Sequence, residues 1–154
     1  MLCSVRRALL LGILAFVFIC TGLPERLAHA QTGNWEYSEE LGGWLDWDTG
    51  LVWGKQDGIA GWGDSNAYMS RLAASTGHPW RMPSVAESQV AFAHGIFGVP
   101  GIFYRAAGTW TSDAKNKGGA RTAHYEFDFY TGTARLIGNN SLIDCIPVYR
   151  AFTP

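Results

Sequence analysis

Arg81 and Glu87 flank Ser84, a spacing at which a guanidinium and a carboxylate can clamp a ligand or brace a loop. Glu87 also closes a Ser-x-x-Glu capping box with Ser84, which favours bracing. The hydroxyls of Thr111 and Ser112 lie beside Trp110, but no Gly-x-Ser-x-Gly elbow surrounds them, so no nucleophile is expected. His78, His94 and His124 have no HxxxH-type spacing, and Cys145 is the one cysteine beyond residue 30, so no metal set and no cofactor are expected. Gly138-Asn139-Asn140-Ser141 and Asp144 offer oxygens that suit calcium, but this is also ordinary turn chemistry. Lys115, Lys117 and Arg121 remain, gathered between Asp113 and Thr122 around a Gly118-Gly119 pair. Three cations on a glycine-loosened loop can meet sulfate or carboxylate groups, and an exposed aromatic, Tyr104 or Trp110, would add stacking. The same cluster also reads as a solvated turn with no partner.

The elements that must position these residues alternate in type along the chain. Trp44 to Trp53 holds two short aromatic and aliphatic runs around Asp48-Thr49-Gly50, a hairpin signal. Asp64 can cap a helix from Ser65 to about Ser75, ended by Gly77. The capping box at Ser84 starts a second helix that runs to about His94, where Gly95 stops it. From Gly95 to Gly108 the chain is glycine-rich yet apolar, which predicts an ordered loop tucking its side chains inward, with a partner-binding surface as the alternative. Strands are expected at Gly108–Ser112, His124–Tyr130, Thr133–Ile137 and Asp144–Phe152. Tyr125, Phe127 and Phe129 form an alternating face in the second of these. The class is α+β, two helices with antiparallel sheets and long loops. At least four of the seven tryptophans are expected in the core.

The first thirty residues read as an export signal. Arg6 and Arg7 precede an apolar run, and Ala28-His29-Ala30 places small residues at the two positions a signal peptidase reads, so cleavage is predicted between Ala30 and Gln31. Residues 31–42 are expected as a polar leader and 43–154 as one domain. From Gln31 onward nine cations face twelve carboxylates, a net charge of −3. This excludes wholesale nucleic-acid binding. A secreted or periplasmic location follows, without stable membrane insertion once the signal is removed.

Several short motifs then occur in a recognisable order: Asp48-Thr49-Gly50-Leu51-Val52-Trp53, Trp62, Trp80-Arg81-Met82-Pro83-Ser84 with Glu87, Thr109-Trp110-Thr111-Ser112, and Val148-Tyr149-Arg150. Together they resemble the Lcl C-terminal domain family, named after a Legionella collagen-like adhesin. The resemblance runs from about Leu45 to Arg150. It implies a C-type-lectin-like fold, related also to formylglycine-generating enzymes, in bacterial envelope or secreted proteins. The named adhesin is associated with sulfated polysaccharide. The chain departs from the family at Met82, at Thr111 and around Cys145, and it has no collagen-like stalk. Sugar-binding C-type lectins typically carry Glu-Pro-Asn or Gln-Pro-Asp, and neither run is present.

These readings converge on a non-catalytic binding or adhesion module, with an anionic polysaccharide or an envelope protein as partner. A structural subunit of an envelope assembly is the alternative, suggested by the apolar 95–108 loop. An oxidoreductase akin to formylglycine-generating enzymes is the third reading, and its chemistry needs two reactive cysteines.

Overall fold

The computed structural model describes residues 33–104, 107–116 and 122–154. The predicted hairpin forms: β2 (Gly43–Asp46) pairs antiparallel with β3 (Leu51–Trp53), with Trp44 opposite Trp53. Gly50 sits at φ +68° in the turn, a left-handed conformation open to glycine. The sheet does not begin at residue 43, however. β1 (Trp35–Ser38) lies inside the expected leader and pairs with β2. Trp35 anchors that segment, its indole donating to the carbonyl of His94 at 2.9 Å.

Further along, β4 (Asp57–Ala60) precedes α1 (Trp62–Thr76) and α2 (Val85–Ala93). The first helix begins at Trp62 rather than Ser65, with Gly61 at the cap position and Asp64 inside the first turn. Tertiary bonds supply what a side-chain cap would give: Trp62 N donates to the carbonyl of Asn139 at 3.1 Å and Trp62 Nε1 to that of Thr111 at 3.0 Å. Gly77 ends the helix at φ +77°, as its position predicted. The second helix carries the capping box, with Ser84 Oγ accepting from Glu87 N at 3.1 Å and Ser84 N donating to Glu87 Oε2 at 2.8 Å.

The second half holds β5 (Gly108–Asn116), β6 (Thr122–Asp128), β7 (Thr133–Ile137), β8 (Ile143–Cys145) and β9 (Val148–Arg150). β5, β6 and β7 form an antiparallel sheet, β4 pairs with β8, and β9 completes a sheet of order β1-β2-β3-β9. The single strand expected over Asp144–Phe152 is therefore two strands in different sheets. Pro147 separates them, because a proline cannot donate to a ladder. The α+β class with two helices and antiparallel sheets is the architecture observed.

The core is continuous across these layers. Trp53, Ile96, Ile102, Phe127, Phe129, Ile146 and Val148 are all 0 % exposed, and β3 is buried on both faces. Each such side chain contributes on the order of 1.5–3 kcal/mol of burial. Ile96, Val99 and Ile102 point inward from the 95–108 loop, so the tucked reading describes its described part. Three tryptophans, 53, 80 and 110, are buried; Trp35, Trp44 and Trp62 are half-buried, and Trp47 is exposed. Because Trp35, Trp44 and Trp62 pack against the core clusters, six of the seven tryptophans lie in or against the core, which meets the expected four. The β6 strand also differs from its simple alternation. His124 and Glu126 are buried as well as Phe127, because both faces of the strand are covered.

Candidate functional site

Of the sequence-derived site residues, Tyr104, Trp110 and Lys115 lie among the described residues. Trp110 is 0 % exposed, with its Nε1 donating to the carbonyl of Ala60 at 2.8 Å, so it cannot be a stacking platform for a ligand. Its neighbours in the core are Met69, Met82 and Cys145. The register of β5 shifts between Trp110 and Ala114, and the strand runs on to Asn116 where a loop was expected from Asp113. Lys115 is exposed on that strand, opposite Ala123. Lys117 and Arg121 lie outside the described residues. Tyr104 is an accessible aromatic side chain, 49 % exposed.

The structural motif residues are where packing needs them. Arg81 Nη1 and Nη2 donate to Glu87 Oε2 and Oε1 at 2.8 and 2.6 Å, and Nη1 also donates to the carbonyl of Met82 at 3.1 Å. Burial opposes ionisation of Glu87, but the bonds from Arg81 and Ser84 outweigh it and bring the carboxyl down to about 2. Both groups are thereby spent on bracing the entry to α2. Pro83 is buried, and its carbonyl accepts from Ser112 N at 2.8 Å. Arg150 ties the β2–β3 turn through Thr49 O at 2.7 Å. The Gly138–Ser141 segment is a turn, with Ser141 N donating to Gly138 O at 3.0 Å.

A cluster with metal-ligand chemistry does exist, although no spacing rule pointed to it. Asp46, Asp48 and His94 bring one ligand atom each within 4.8 Å of one another. Asp46 is 1 % exposed and already accepts from Asp48 N at 3.1 Å and Thr49 Oγ1 at 2.9 Å, and its Oδ2 lies 2.9 Å from His94 Nδ1. These bonds fasten the β2–β3 turn to the end of α2. Sequence reading missed the cluster because His94 reaches it only through the fold.

Among the described residues, Tyr37, Trp44, Lys55, Pro100, Gly101 and Tyr104 line an open aromatic groove of about 590 Å³. Tyr37 and Trp44 come from the paired strands β1 and β2, with ring centroids 5.0 Å apart and planes inclined at 59°. Gly101 lets the loop lie close against Trp44, since a Cβ there would stand 3.0 Å from the indole at φ +89°. Tyr104 is fixed from behind by buried Gln56, which accepts from Tyr104 N at 3.2 Å and donates through its own N to Ile102 O at 2.9 Å. Lys55 lies over the Tyr104 ring, with Nζ 5.4 Å from the centroid. That cation–π contact contributes about 0.5–1 kcal/mol at an exposed site. The result is a half-rigid aromatic wall with the Lys55 ammonium across it. Lys55 had no signal in the sequence, because nothing local places it against a loop so far along the chain.

No family model matches the chain, and no curated protein matches it. Among solved structures, the chain is similar to botrocetin, a snake C-type-lectin-like protein, at 9% identity and a TM-score of 0.47, over 76% of this chain and 96% of that one. The resemblance to Lcl C-terminal domains rests on the sequence motifs alone.

Proposed function

We propose that this protein is a non-catalytic binding module that takes an acidic saccharide unit in the groove formed by Tyr37, Trp44, Lys55 and Tyr104. The observation that carries the reading is the juxtaposition of exposed aromatic rings with the Lys55 ammonium. A sugar ring stacks on an aromatic face, and a carboxylate or sulfate on that ring meets Lys55. Gln56 holds Tyr104 in place before binding, which lowers the ordering cost of association. Lys115, Lys117 and Arg121 belong to the same proposal as a second, outer source of attraction for a polyanion.

The motif resemblance to Lcl C-terminal domains and the C-type-lectin-like expectation support a role at the bacterial surface or in the periplasm, after cleavage between Ala30 and Gln31. Intact mass of the exported protein tests the cleavage site. Among the described residues no helix is long and apolar enough to cross a membrane. The enzyme reading loses support from Cys145, which is 2 % exposed; burial pushes its thiol up to about 11, with the contact to Ser65 pulling weakly the other way. The inward-facing Ile96, Val99 and Ile102 of the apolar loop weaken the envelope-subunit reading.

The test is calorimetric titration of the mature protein with methyl glucuronide and a sulfated oligosaccharide, at low and high salt. Tyr104→Ala should weaken binding about tenfold or more, a loss of about 1.4 kcal/mol. Lys55→Gln should weaken it severalfold and flatten the salt dependence. Changing Lys115, Lys117 and Arg121 together to Gln should weaken only the longer, multiply charged ligand. Binding that survives both Tyr104→Ala and Lys55→Gln unchanged would remove the site.

A further inference from the structure

On the other side of Lys55 lies a second, more enclosed pocket of about 340 Å³ that the saccharide groove does not use. One wall is the face of α1 carrying Tyr68, Leu72 and Thr76, spaced four apart so that they stack along one side of the helix. Trp80 and Pro147 also line it. Trp80 is fixed by its indole, which donates to Thr76 Oγ1 at 3.0 Å, and by its edge-on contact with Tyr149 at 4.5 Å. The lining is therefore apolar and rigid between two polar ends.

The ends carry opposite charge. At the Thr76 end, His78 Nε2 donates to the carbonyl of Glu40 at 3.2 Å, which brings the Glu39-Glu40 turn to the mouth of the pocket. Both carboxylates are exposed, and among the described residues neither has a hydrogen-bond or ion-pair partner. At the other end, Tyr68 and Lys55 line the pocket together, and the Lys55 side chain supplies the one cation among the described lining residues. From Tyr68 to Thr76 the helix rises about 12 Å.

The geometry points to a short apolar peptide with both termini free as the occupant of this pocket. Its ammonium is met by Glu39 and Glu40, its carboxylate by Lys55, and its side chains rest on Leu72, Trp80 and Pro147. An extended chain advances about 3.4 Å per residue, so two to four residues reach between the charged ends once the lysine and glutamate side chains have closed on them. A polyanion is repelled by the two carboxylates, and a simple organic cation leaves Lys55 unused. Because Lys55 serves both depressions, peptide and acidic saccharide compete for its ammonium.

The experiment titrates the mature protein with a panel of apolar di- to tetrapeptides such as Leu-Ala-Leu, each also in N-acetylated and C-amidated form. The expected result is binding of the free peptide, with a loss of tenfold or more on blocking either terminus. The Glu39→Gln, Glu40→Gln double variant should lose the peptide while keeping methyl glucuronide within about twofold. Both positions are exposed, so the variant should fold, and unchanged circular dichroism checks this. Tyr104→Ala does the reverse, losing glucuronide and keeping the peptide within about threefold. Failure of glucuronide alone therefore sinks the groove reading and not this one. N-acetyl peptide binding as tightly as the free form, amine-only binding without dependence on the carboxylate, or no binding across the panel would each overturn the proposal.

Discussion

Trp62 lies flat on His124, with ring centroids 3.7 Å apart and planes inclined at 19°, so the start of α1 is stacked on the middle of β6. His124 is buried, and desolvation lowers its pKa against the weaker upward pull of its bond to the Asp113 backbone. The unfolded chain then takes up this proton first as pH falls. Stability from this group is fully present above about pH 6.5 and declines as pH drops through the lowered folded value. Denaturant titrations between pH 7.5 and 5 should show that decline, and His124→Phe should flatten it. Neutral-pH stability of that variant is expected within about 1 kcal/mol of the parent, since an aromatic ring is retained. An identical acid slope in the variant would assign the titration elsewhere.

Glu87 makes the opposite case for acid sensitivity, because its charged form is the stabilised one. Its folded value of about 2 lies below the ordinary carboxyl value of 4.5, so its contribution is complete above that value and is lost between there and about 2. Glu87→Gln should cost about 1–2 kcal/mol at pH 7 through the cap and the Arg81 contact. The gap between parent and variant melting curves should narrow strongly from pH 7 to pH 2.5 and close as the pH falls through about 2. A gap as large at pH 2.5 as at pH 7 would argue for a packing role.

Gly50→Ala should be among the most damaging single-atom-scale changes in the protein. The residue sits at φ +68°, and a Cβ would overlap the carbonyl oxygen of Phe152. Gly50 O also accepts from Ala151 N at 2.9 Å, so the turn and the C-terminal segment must move together. A loss of about 2–4 kcal/mol is expected in chemical denaturation. A variant as stable as the parent would mean that the end of the chain is not held against this turn.

Cys145 should resist thiol reagents in the native state. It is buried in β8 among Met69, Met82 and Trp110, and its thiol is pushed up to about 11. Labelling should follow unfolding, slow in buffer and fast in denaturant. Rapid modification of the folded protein, or a dimer that collapses on reduction, would contradict the burial.

How much of this was legible in the sequence depends on the range of the interactions concerned. The capping box at Ser84 and Glu87, the stop at Gly77, the Asp48-Thr49-Gly50 turn and the Thr133–Ile137 strand were read correctly, because each is decided by bonds or dihedral limits within a few residues. Pro147 is a local signal that the terminal strand divides, because it cannot donate to a ladder.

What only the tertiary structure decided is which side of each aromatic and charged residue faces water. Trp110 and Tyr104 look equally available in the sequence, yet Trp110 is enclosed beneath α1 and β8 while Tyr104 stands on a loop braced by Gln56. Hydrophobicity says that a large side chain gains by burial, but not what will be there to bury it. Lys55 shows the same limit for charge. Its meaning comes from Tyr104 on one side and from the Glu39-Glu40 turn on the other, neighbours supplied by sheet pairing and loop closure across long stretches of chain.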